Sequence, residues 1–424
     1  MGNCAIVGIN WGDEGKGRMV DLLTERFDIV VRYQGGGNAG HTVVNERGKF
    51  ALHLLPSGIF RDNVVNILGN GVALDCENLW KEIEELRTKG VSVTPENLKI
   101  SDRASLLMPW HRELDCLEEN RLKNKKFGST KQGIAPFYSD KYQKKNLMAG
   151  ELLHKEYLEE HLKDILEWKN LTISKVYGAE PFTLEQFANW LDDFGEKIKP
   201  FICDTGAYLR RAQEENKNIL FEAQLGALRD VDFGIYPYTT SSNTLAAFAP
   251  IGSGLTSAQL NEIIGVVKAY STCVGEGPFT CEWTGDEADK LREEGHEYGA
   301  KTGRPRRVGP IDMVATRYGV KLQNASSIAL TKLDVLSYMD KIPVCTHYIV
   351  DGKMSDDFPR PDMMDNAKPY VEYLDGWKCD ISKIRSWEEL PENAKKYVEY
   401  LENNIGCHIE YVSVGPDRDA CIVR

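Results

Sequence analysis

Near the N-terminus, Gly12-Asp13-Glu14-Gly15-Lys16-Gly17 lies between the apolar run Cys4-Ala5-Ile6-Val7-Gly8-Ile9 and a helical pattern opening at Met19-Val20-Asp21-Leu22-Leu23. The apolar run predicts a short buried strand, so the glycines form a turn from a strand into a helix N-terminus. Such a turn brings backbone N–H groups together at the positive end of a helix, which suits a polyphosphate. Lys16 can neutralise phosphate charge. Asp13 is the odd member, because a carboxylate facing phosphates is tolerated where it holds a metal ion or moves a proton. The loop is not a Walker A motif, since Gly17 follows Lys16 where that motif has Ser or Thr. A bare glycine turn is usually a connector; the acid and the lysine inside this one mark it as a site.

A second glycine cluster, Gln34-Gly35-Gly36-Gly37-Asn38-Ala39-Gly40-His41-Thr42, follows the predicted strand Ile29 to Tyr33. Glycine adds an entropic cost to folding, so close approach of the backbone to a ligand explains the cluster better than a plain turn does. His41, alone among eight histidines, sits in such a loop and can supply a proton or a charge to a phosphoryl oxygen. The plainer alternative is a histidine hydrogen-bonded within its own loop. Two phosphate-type loops, one with an acid and one with a histidine, point to phosphoryl transfer, in which the protein positions groups and stabilises charge.

Two later segments speak to the base of the nucleotide. Ile328-Ala329-Leu330-Thr331-Lys332-Leu333-Asp334 predicts a strand ending in Thr-Lys-x-Asp. A carboxylate at Asp334 can accept both N1–H and the exocyclic amine of guanine, a donor pair that adenine lacks. The aliphatic stem of Lys332 can lie across the base. Ser413-Val414-Gly415-Pro416-Asp417-Arg418 follows another strand, and its small residues can bring N–H groups to the guanine oxygen. Together they favour GTP over ATP.

The apolar runs Ile29-Val30-Val31, Val64 to Leu68, Ile219-Leu220-Phe221, Ile328-Ala329-Leu330 and Pro343-Val344-Cys345 recur between helical patterns, which predicts a mainly parallel sheet flanked by helices. Helices are predicted over Leu74 to Arg87, with Asp75 as cap, over His154 to Trp168, and over Thr256 to Tyr270. The basic segment Arg121 to Lys145 predicts a long surface loop that could close on a ligand. There is no internal repeat and no evident domain boundary, although 424 residues could hold more than one domain. A net charge of −12 argues against a nucleic-acid surface, and no apolar run could span a bilayer. Ten cysteines without a CxxC pair signal neither a zinc site nor a redox dithiol. With no signal peptide evident, the expectation is a soluble cytoplasmic protein whose thiols are small buried hydrophobes.

With these motifs in order, the chain resembles the adenylosuccinate synthetases, GTP-dependent ligases that join aspartate to IMP in purine biosynthesis. The resemblance spans nearly the whole length. It rests on the GDEGKG loop from Gly12, the glycine cluster from Gln34, and Asp232-Phe233-Gly234-Ile235-Tyr236-Pro237-Tyr238 running into Thr240-Ser241-Ser242-Asn243. It continues through Val274-Gly275-Glu276-Gly277-Pro278-Phe279, Thr302-Gly303-Arg304-Pro305-Arg306-Arg307, Thr331 to Leu336, and Val414 to Arg418. The fold it implies is a single α/β domain over residues 1–424. That domain is P-loop-NTPase-like with a variant phosphate loop, and it is paired as a homodimer.

The resemblance also implies a two-step reaction on Mg²⁺-GTP. Asp13 takes the N1 proton of IMP, the 6-oxygen attacks the γ-phosphoryl group, and His41 and Lys16 stabilise the charge. Aspartate's amine then displaces phosphate from 6-phosphoryl-IMP. By the same resemblance, Asp13 and the Gly40 carbonyl bind Mg²⁺. GTP binding falls to Gly12, Glu14, Gly15, Lys16, Gly17, Gly40, His41, Thr42, Lys332, Leu333, Asp334, Ser413, Val414 and Gly415, with Lys332, Asp334 and Ser413 to Gly415 as the guanine pocket and Arg306 also reaching the GTP side. IMP contacts are implied for Asp13, Asn38, Ala39, Thr130, Thr240 and Arg304, and aspartate contacts for Thr302, Gly303, Arg304 and Arg306.

Departures cluster at the substrate end. The family's TTGRGIGPxY loop reads Ser129-Thr130-Lys131-Gln132-Gly133-Ile134-Ala135-Pro136-Phe137-Tyr138. The family's FEGAQG reads Phe221-Glu222-Ala223-Gln224-Leu225-Gly226, so Leu225 stands where a glutamine faces the purine. Gln224, one residue early, points to the other side of an extended segment unless a bulge restores it. Lys144 replaces an arginine that reaches across the dimer to the IMP phosphate, keeping charge and losing the fork. Lys301 stands where the aspartate loop has threonine. The leading expectation is the ordinary reaction. Its rivals are a paralogue acting on another purine nucleotide or amine, and a non-catalytic GTP switch.

Overall fold

Short apolar runs assemble into a ten-stranded sheet. In chain order its strands are β1 (Asn3–Gly8), β2 (Ile29–Arg32), β3 (Val65–Leu68), β4 (Leu98–Ser101), β5 (Ile202–Cys203), β6 (Ile219–Glu222), β7 (Leu260–Lys268), β8 (Ser327–Thr331), β9 (Ile409–Ser413) and β10 (Cys421–Val423). Side by side they run β10-β9-β8-β7-β1-β6-β2-β3-β4-β5. Every neighbouring pair is parallel except β9 with β10. The computed structural model describes residues 2–45, 48–299 and 303–424, less the side chains of His41, Thr42, Val44, Asn45 and Lys49.

A strand at the centre of a parallel sheet is covered on both faces, which is why these segments read as unbroken apolar runs. In β1, Cys4 and Ile6 pack beneath Met19, Val20 and Leu23 of helix α1 (Lys16–Leu23). Ala5 and Val7 face the other way, onto Ile29, Val31, Leu209 and Phe221. The alternation is the two-residue period of the pleat. Parallel pairing also sends all the carboxyl ends to one edge. There the chain leaves β1, β2, β6, β8 and β9 into the segments that begin at Ile9, Tyr33, Ala223, Lys332 and Val414. Ligands of open α/β sheets bind along that edge.

Helix α2 (Cys76–Thr88) is capped as expected, the Asp75 carboxylate accepting from the Asn78 N–H at 3.1 Å. Helix α3 (Pro109–Leu122) leads into the basic segment. The expectation of an unbroken loop from Arg121 to Lys145 fails there, because α4 (Ile134–Gln143) forms inside it. Ile134, Phe137 and Tyr138 share one buried face, and Gly133 supplies the left-handed residue before the first turn. The predicted helix over His154 to Trp168 is α5 (Lys155–Leu171).

The helix predicted over Thr256 to Tyr270 is a strand: β7 lies between β1 and β8. Leu260, Ile263, Ile264 and Val267 have helical spacing, but Val266 beside them completes a run buried on both faces. Periodicity alone does not separate those two cases; the slot in the sheet does. Pro343-Val344-Cys345 also departs from expectation. It belongs to the strand Lys341–Val350, which pairs antiparallel with Lys368–Asp375 in a separate four-stranded sheet. The thiols are likewise mixed: Cys4, Cys76, Cys273, Cys281 and Cys345 are buried, whereas Cys379 is exposed. Among the described residues no helix is long and apolar enough to cross a membrane.

The helix Met313–Gln323 lies so close to the loop after β1 that a Cβ on Gly319 would stand 2.1 Å from the Ile9 carbonyl oxygen. Alanine normally stabilises a helix interior by ~1 kcal/mol over glycine. Here we expect Gly319→Ala to destabilise by about 1–3 kcal/mol, because backbone must move to admit the methyl group. Urea unfolding of the two proteins checks the sign, and a more stable variant contradicts the packing.

Candidate active site

The loop after β1 is held from inside by one carboxylate. Gly12, Asp13 and Gly15 take positive φ values of 102°, 61° and 100°, so the chain coils into α1 with Gly15 at its N-cap. Glu14 turns inward and is buried. Its Oε1 accepts from the N–H groups of Gly12 at 2.7 Å and Asn10 at 3.2 Å, and its Oε2 accepts from Lys16 Nζ at 2.7 Å. A Cβ at Gly8 or Gly226 would come within 2.6 or 2.7 Å of that carboxylate. Thr331 at the end of β8 donates to the Glu14 carbonyl at 2.6 Å, which ties this loop to the Thr-Lys-x-Asp segment.

The second glycine loop is held by Gln224. Its Oε1 accepts from the Gly36 N–H at 3.0 Å, while its Nε2 donates to the carbonyls of Gly36 at 2.8 Å and Ala39 at 2.9 Å. Gln34 donates back to the Gln224 carbonyl at 2.7 Å and accepts from the Ser242 hydroxyl at 2.9 Å. A Cβ on Gly35 would fall 1.8 Å from Gln224 Oε1, and Gly35 has φ of 79°, so no other residue fits there. Gln224 therefore points into the loop after β2, and no bulge returns it to the purine side. Leu225, at φ of 62°, lies instead against Gly12.

Both loops thus meet on one segment. Strand β6 sits between β1 and β2, and the residues leaving it touch the first loop through Leu225 and Gly226 and the second through Gln224. The hairpin His41–Asn45 and Gly48–Leu52 that follows the second loop packs on α1. The backbone of His41 and Thr42 belongs to that hairpin; their side chains lie outside the described residues.

Opposite the first loop stands a buried charge cluster that local pattern does not announce. Glu297 is fully buried; its Oε1 accepts from Lys268 Nζ at 2.9 Å, Lys332 Nζ at 2.8 Å and the Tyr270 hydroxyl at 2.5 Å. Its Oε2 accepts from Arg306 at 2.5 Å, and the other arm of Arg306 reaches Asp13 Oδ2 at 3.2 Å. Burial alone would raise the Glu297 pKa, but Lys268, Lys332 and Arg306 outweigh it and hold the carboxyl far below the usual range. Burial pulls Lys268 down to about 8 against the attraction of Glu297.

At the other end of the edge, burial raises the Asp334 carboxyl above the usual range, although Lys332 and Arg18 oppose it. Arg18 donates to the Ser413 hydroxyl and to the Ala420 carbonyl, and Val414 N–H pairs with Ala420 at 3.0 Å. Lys332, Leu333 and Asp334 leave β8 beside the end of β9, where Ser413 runs into Val414 and Gly415.

Three side chains expected to contact substrate hold buried polar atoms without a hydrogen-bond partner among the described residues: Asn38 Oδ1, Thr240 Oγ1 and Arg306 Nε. Buried polar atoms are ordinarily paired, so each suits a ligand contact. Thr130 is exposed in the loop before α4, and Arg304 Nη2 lies 3.2 Å from Glu276 Oε1. The same Glu276 borders Gly128, so the Thr130 loop and Arg304 share a neighbour. Gly303 follows at φ of 63°, and Lys301 and Thr302 lie outside the described residues. Asp13 and the Gly40 carbonyl offer hard oxygen ligands, a donor set that fits Mg²⁺ shared with phosphates.

Glu297 and Lys268 escaped the sequence reading. The only cue is the spacing Gly295-His296-Glu297-Tyr298-Gly299, an acid between glycines. Arg229 escaped as well: it is buried and donates to the carbonyls of Tyr238 and Val274, fixing the Tyr-Pro-Tyr segment against the Gly275 turn.

Gln224→Leu should free the second loop without emptying the core. Losing hydrogen bonds worth ~1 kcal/mol each predicts at least a tenfold faster amide exchange at Gly36. Hydrogen exchange read by mass spectrometry over residues 34–40 tests this. Unchanged protection there removes Gln224 as the clasp.

Comparison with known proteins agrees along the whole chain. Residues 5–422 match the model of the family described as adenylosuccinate synthetase. The protein of that name from Caldanaerobacter subterraneus subsp. tengcongensis is 46% identical over 424 residues, covering 100% of this chain and 99% of the relative. That from Clostridium novyi is 43% identical with the same coverage. The fully ligated adenylosuccinate synthetase from Plasmodium falciparum superposes with a TM-score of 0.93 at 36% identity, covering 99% of each chain. A cyanophage S-2L succinoaminodeoxyadenylate synthetase, bound to dGMP and dATP, shares the fold alone, with a TM-score of 0.60 at 17% identity over 100% of this chain and 95% of its own.

Proposed function

The chain belongs to the adenylosuccinate synthetase family, and we propose that the edge described above carries out that family's GTP-dependent joining of L-aspartate to IMP. The products are adenylosuccinate, GDP and phosphate. The observation that carries this reading is the convergence of both glycine loops on Gln224 and Leu225, with Asp13 facing Arg306 beside them. A paralogue acting on another nucleotide or amine is not favoured, and neither is a non-catalytic switch, because the full-length relatives carry the synthetase name.

In this reading GTP lies along the sheet edge. Its guanine sits between Lys332-Leu333-Asp334 and Ser413-Val414-Gly415, and its phosphates lie over Gly12, Gly15, Lys16 and Gly17. Glu14 serves the loop from within, since its carboxylate is committed to Gly12, Asn10 and Lys16. That clasp stiffens the turn whose N–H groups meet phosphate. IMP lies on the side of β6 and β2, against Asn38, Ala39, Thr130, Thr240 and Arg304. Asp13 takes the N1 proton of IMP, so the 6-oxygen becomes the nucleophile. Lys16 and His41 meet the charge that grows on the γ-phosphoryl oxygens. Mg²⁺, held by Asp13 and the Gly40 carbonyl, would neutralise phosphate charge.

Aspartate enters beside Gly303, Arg304 and Arg306, with Thr302 implied by the family pattern, and its amine displaces phosphate from C6. The chemistry requires that order, because an amide-like oxygen leaves poorly and a phosphate ester leaves readily. Leu225 makes the purine side of this site more apolar than a glutamine would, and the orphaned atoms of Asn38 and Thr240 supply polar contacts there instead. We infer a homodimer in which the exposed Lys144, at the C-terminus of α4, reaches the partner's IMP phosphate. All 424 residues act as one synthetase domain. Unpaired cysteines throughout suit a reducing cytoplasm.

Incubation with GTP, IMP and aspartate should release phosphate and yield a product with the mass of adenylosuccinate; absence of that product refutes the assignment. Asp13→Asn should lower kcat by about 10²-fold or more, because the proton acceptor is lost. Near-normal turnover would take Asp13 out of the chemistry. Asp334→Asn should narrow the preference for GTP over ITP, which lacks the exocyclic amine, by roughly tenfold. Equal preference in variant and parent would contradict the guanine pocket.

A further inference from the structure

On the reading above, we propose that Glu297 is a positioning residue that ties the guanine pocket to the aspartate-binding hairpin. Three cations from three parts of the chain converge on its carboxylate: Lys268 at the end of β7, Lys332 after β8, and Arg306 on the hairpin. Each of the last two faces a different substrate. Lys332 borders guanine, whereas Arg306 reaches toward Asp13 and the amino acid.

The hairpin is anchored at the same residue. Arg306 N–H donates to the Glu297 carbonyl at 2.9 Å, and Gly299 N–H donates to the Arg304 carbonyl at 2.8 Å. A bridge joins Tyr298 to Pro305. Glu297 thus stands at the base of the segment in which Gly299 pairs with Gly303 and Arg304. Lys332 grips that base a second time through the Gly295 carbonyl at 2.7 Å. Gly295 has no alternative, since a Cβ there would meet the Tyr270 hydroxyl at 2.4 Å. A shift of Lys332 against guanine therefore cannot leave the hairpin base in place, because both are fastened to one buried carboxylate.

Lys268 has a different part. Its bonds go to Glu297 and to Thr272 at 2.7 Å, so it touches no residue assigned to a ligand. It adds charge that the Glu297 carboxylate must balance. Removing the carboxylate leaves buried cations uncompensated, which is costly whatever the residue does for catalysis. Lys268 thereby offers a way to separate stability from positioning.

The experiment compares the full-length wild type with Glu297→Gln and with Glu297→Gln combined with Lys268→Met. Glutamine keeps the shape but loses the charge. We expect KM for GTP and KM for aspartate each to rise roughly tenfold or more, with a smaller rise of about threefold for IMP, which meets the hairpin only through Arg304 and, by way of Arg306, Asp13. In the double variant the melting temperature should return toward the wild-type value while both KM values stay high. Glu297→Gln with unchanged KM values overturns the proposal. So does a double variant that recovers normal KM values, which would make the effect one of stability, or an equal rise for all three substrates. Calorimetric titration with GTP separates the reaction itself from the role of Glu297. A wild type that binds GTP but forms no adenylosuccinate sinks the reaction, whereas equal GTP affinity in wild type and Glu297→Gln sinks the role of Glu297.

Discussion

Strand β6 pairs in parallel with β1 on one side and β2 on the other, with Ala5 and Val31 both level with Phe221. That pairing places the ends of three strands within reach of one another, so that the glycine-bearing loop after β1, a second such loop after β2, and the segment after β6 share one crevice. Phosphoryl transfer needs the donor and the accepting oxygen held in line. A sheet in which β1 and β2 were direct neighbours would leave no room for the clasp that Gln224 provides. The buried Phe221 and the neighbouring apolar side chains that hold this register are therefore as much a part of the site as the residues facing ligand.

The two loops are stiffened by the same device applied from opposite sides. A buried side chain, Glu14 in one and Gln224 in the other, takes up N–H groups or carbonyls that a tight glycine turn leaves unpaired. Glycines at positions 8, 35 and 226 leave space for those side chains. Glycine here serves the clasp at least as much as the ligand. The cost in chain entropy is offset by buried hydrogen bonds, and the result is a set of N–H groups ordered before any phosphate arrives.

Charge is distributed with similar economy. The chain carries a net −12, yet the site gathers Lys16, Lys268, Arg304, Arg306 and Lys332 along one edge. Buried among them, Glu297 and Glu14 keep the cations from repelling one another and fix their directions. An acidic surface with a basic crevice suits small anionic substrates and disfavours a nucleic-acid backbone.

Sequence by itself determined the strand–loop–helix beginning, the two glycine loops, the Thr-Lys-x-Asp segment, the α2 cap at Asp75 and the parallel character of the sheet. Each depends on neighbours in the chain: a period of apolar residues, a turn residue, a capping side chain. It misjudged Leu260–Lys268, whose spacing suits a helix and a doubly buried strand alike, and it missed α4, whose apolar face is three residues inside a basic stretch. Tertiary structure alone decided that β6 lies between β1 and β2, that Gln224 turns into the loop while Leu225 turns to Gly12, and that Glu297 gathers cations from Lys268, Arg306 and Lys332. Apart from Arg306, nine positions from Glu297, those facts join residues tens to hundreds of positions apart, and no local pattern encodes which of many distant partners burial and charge will bring together.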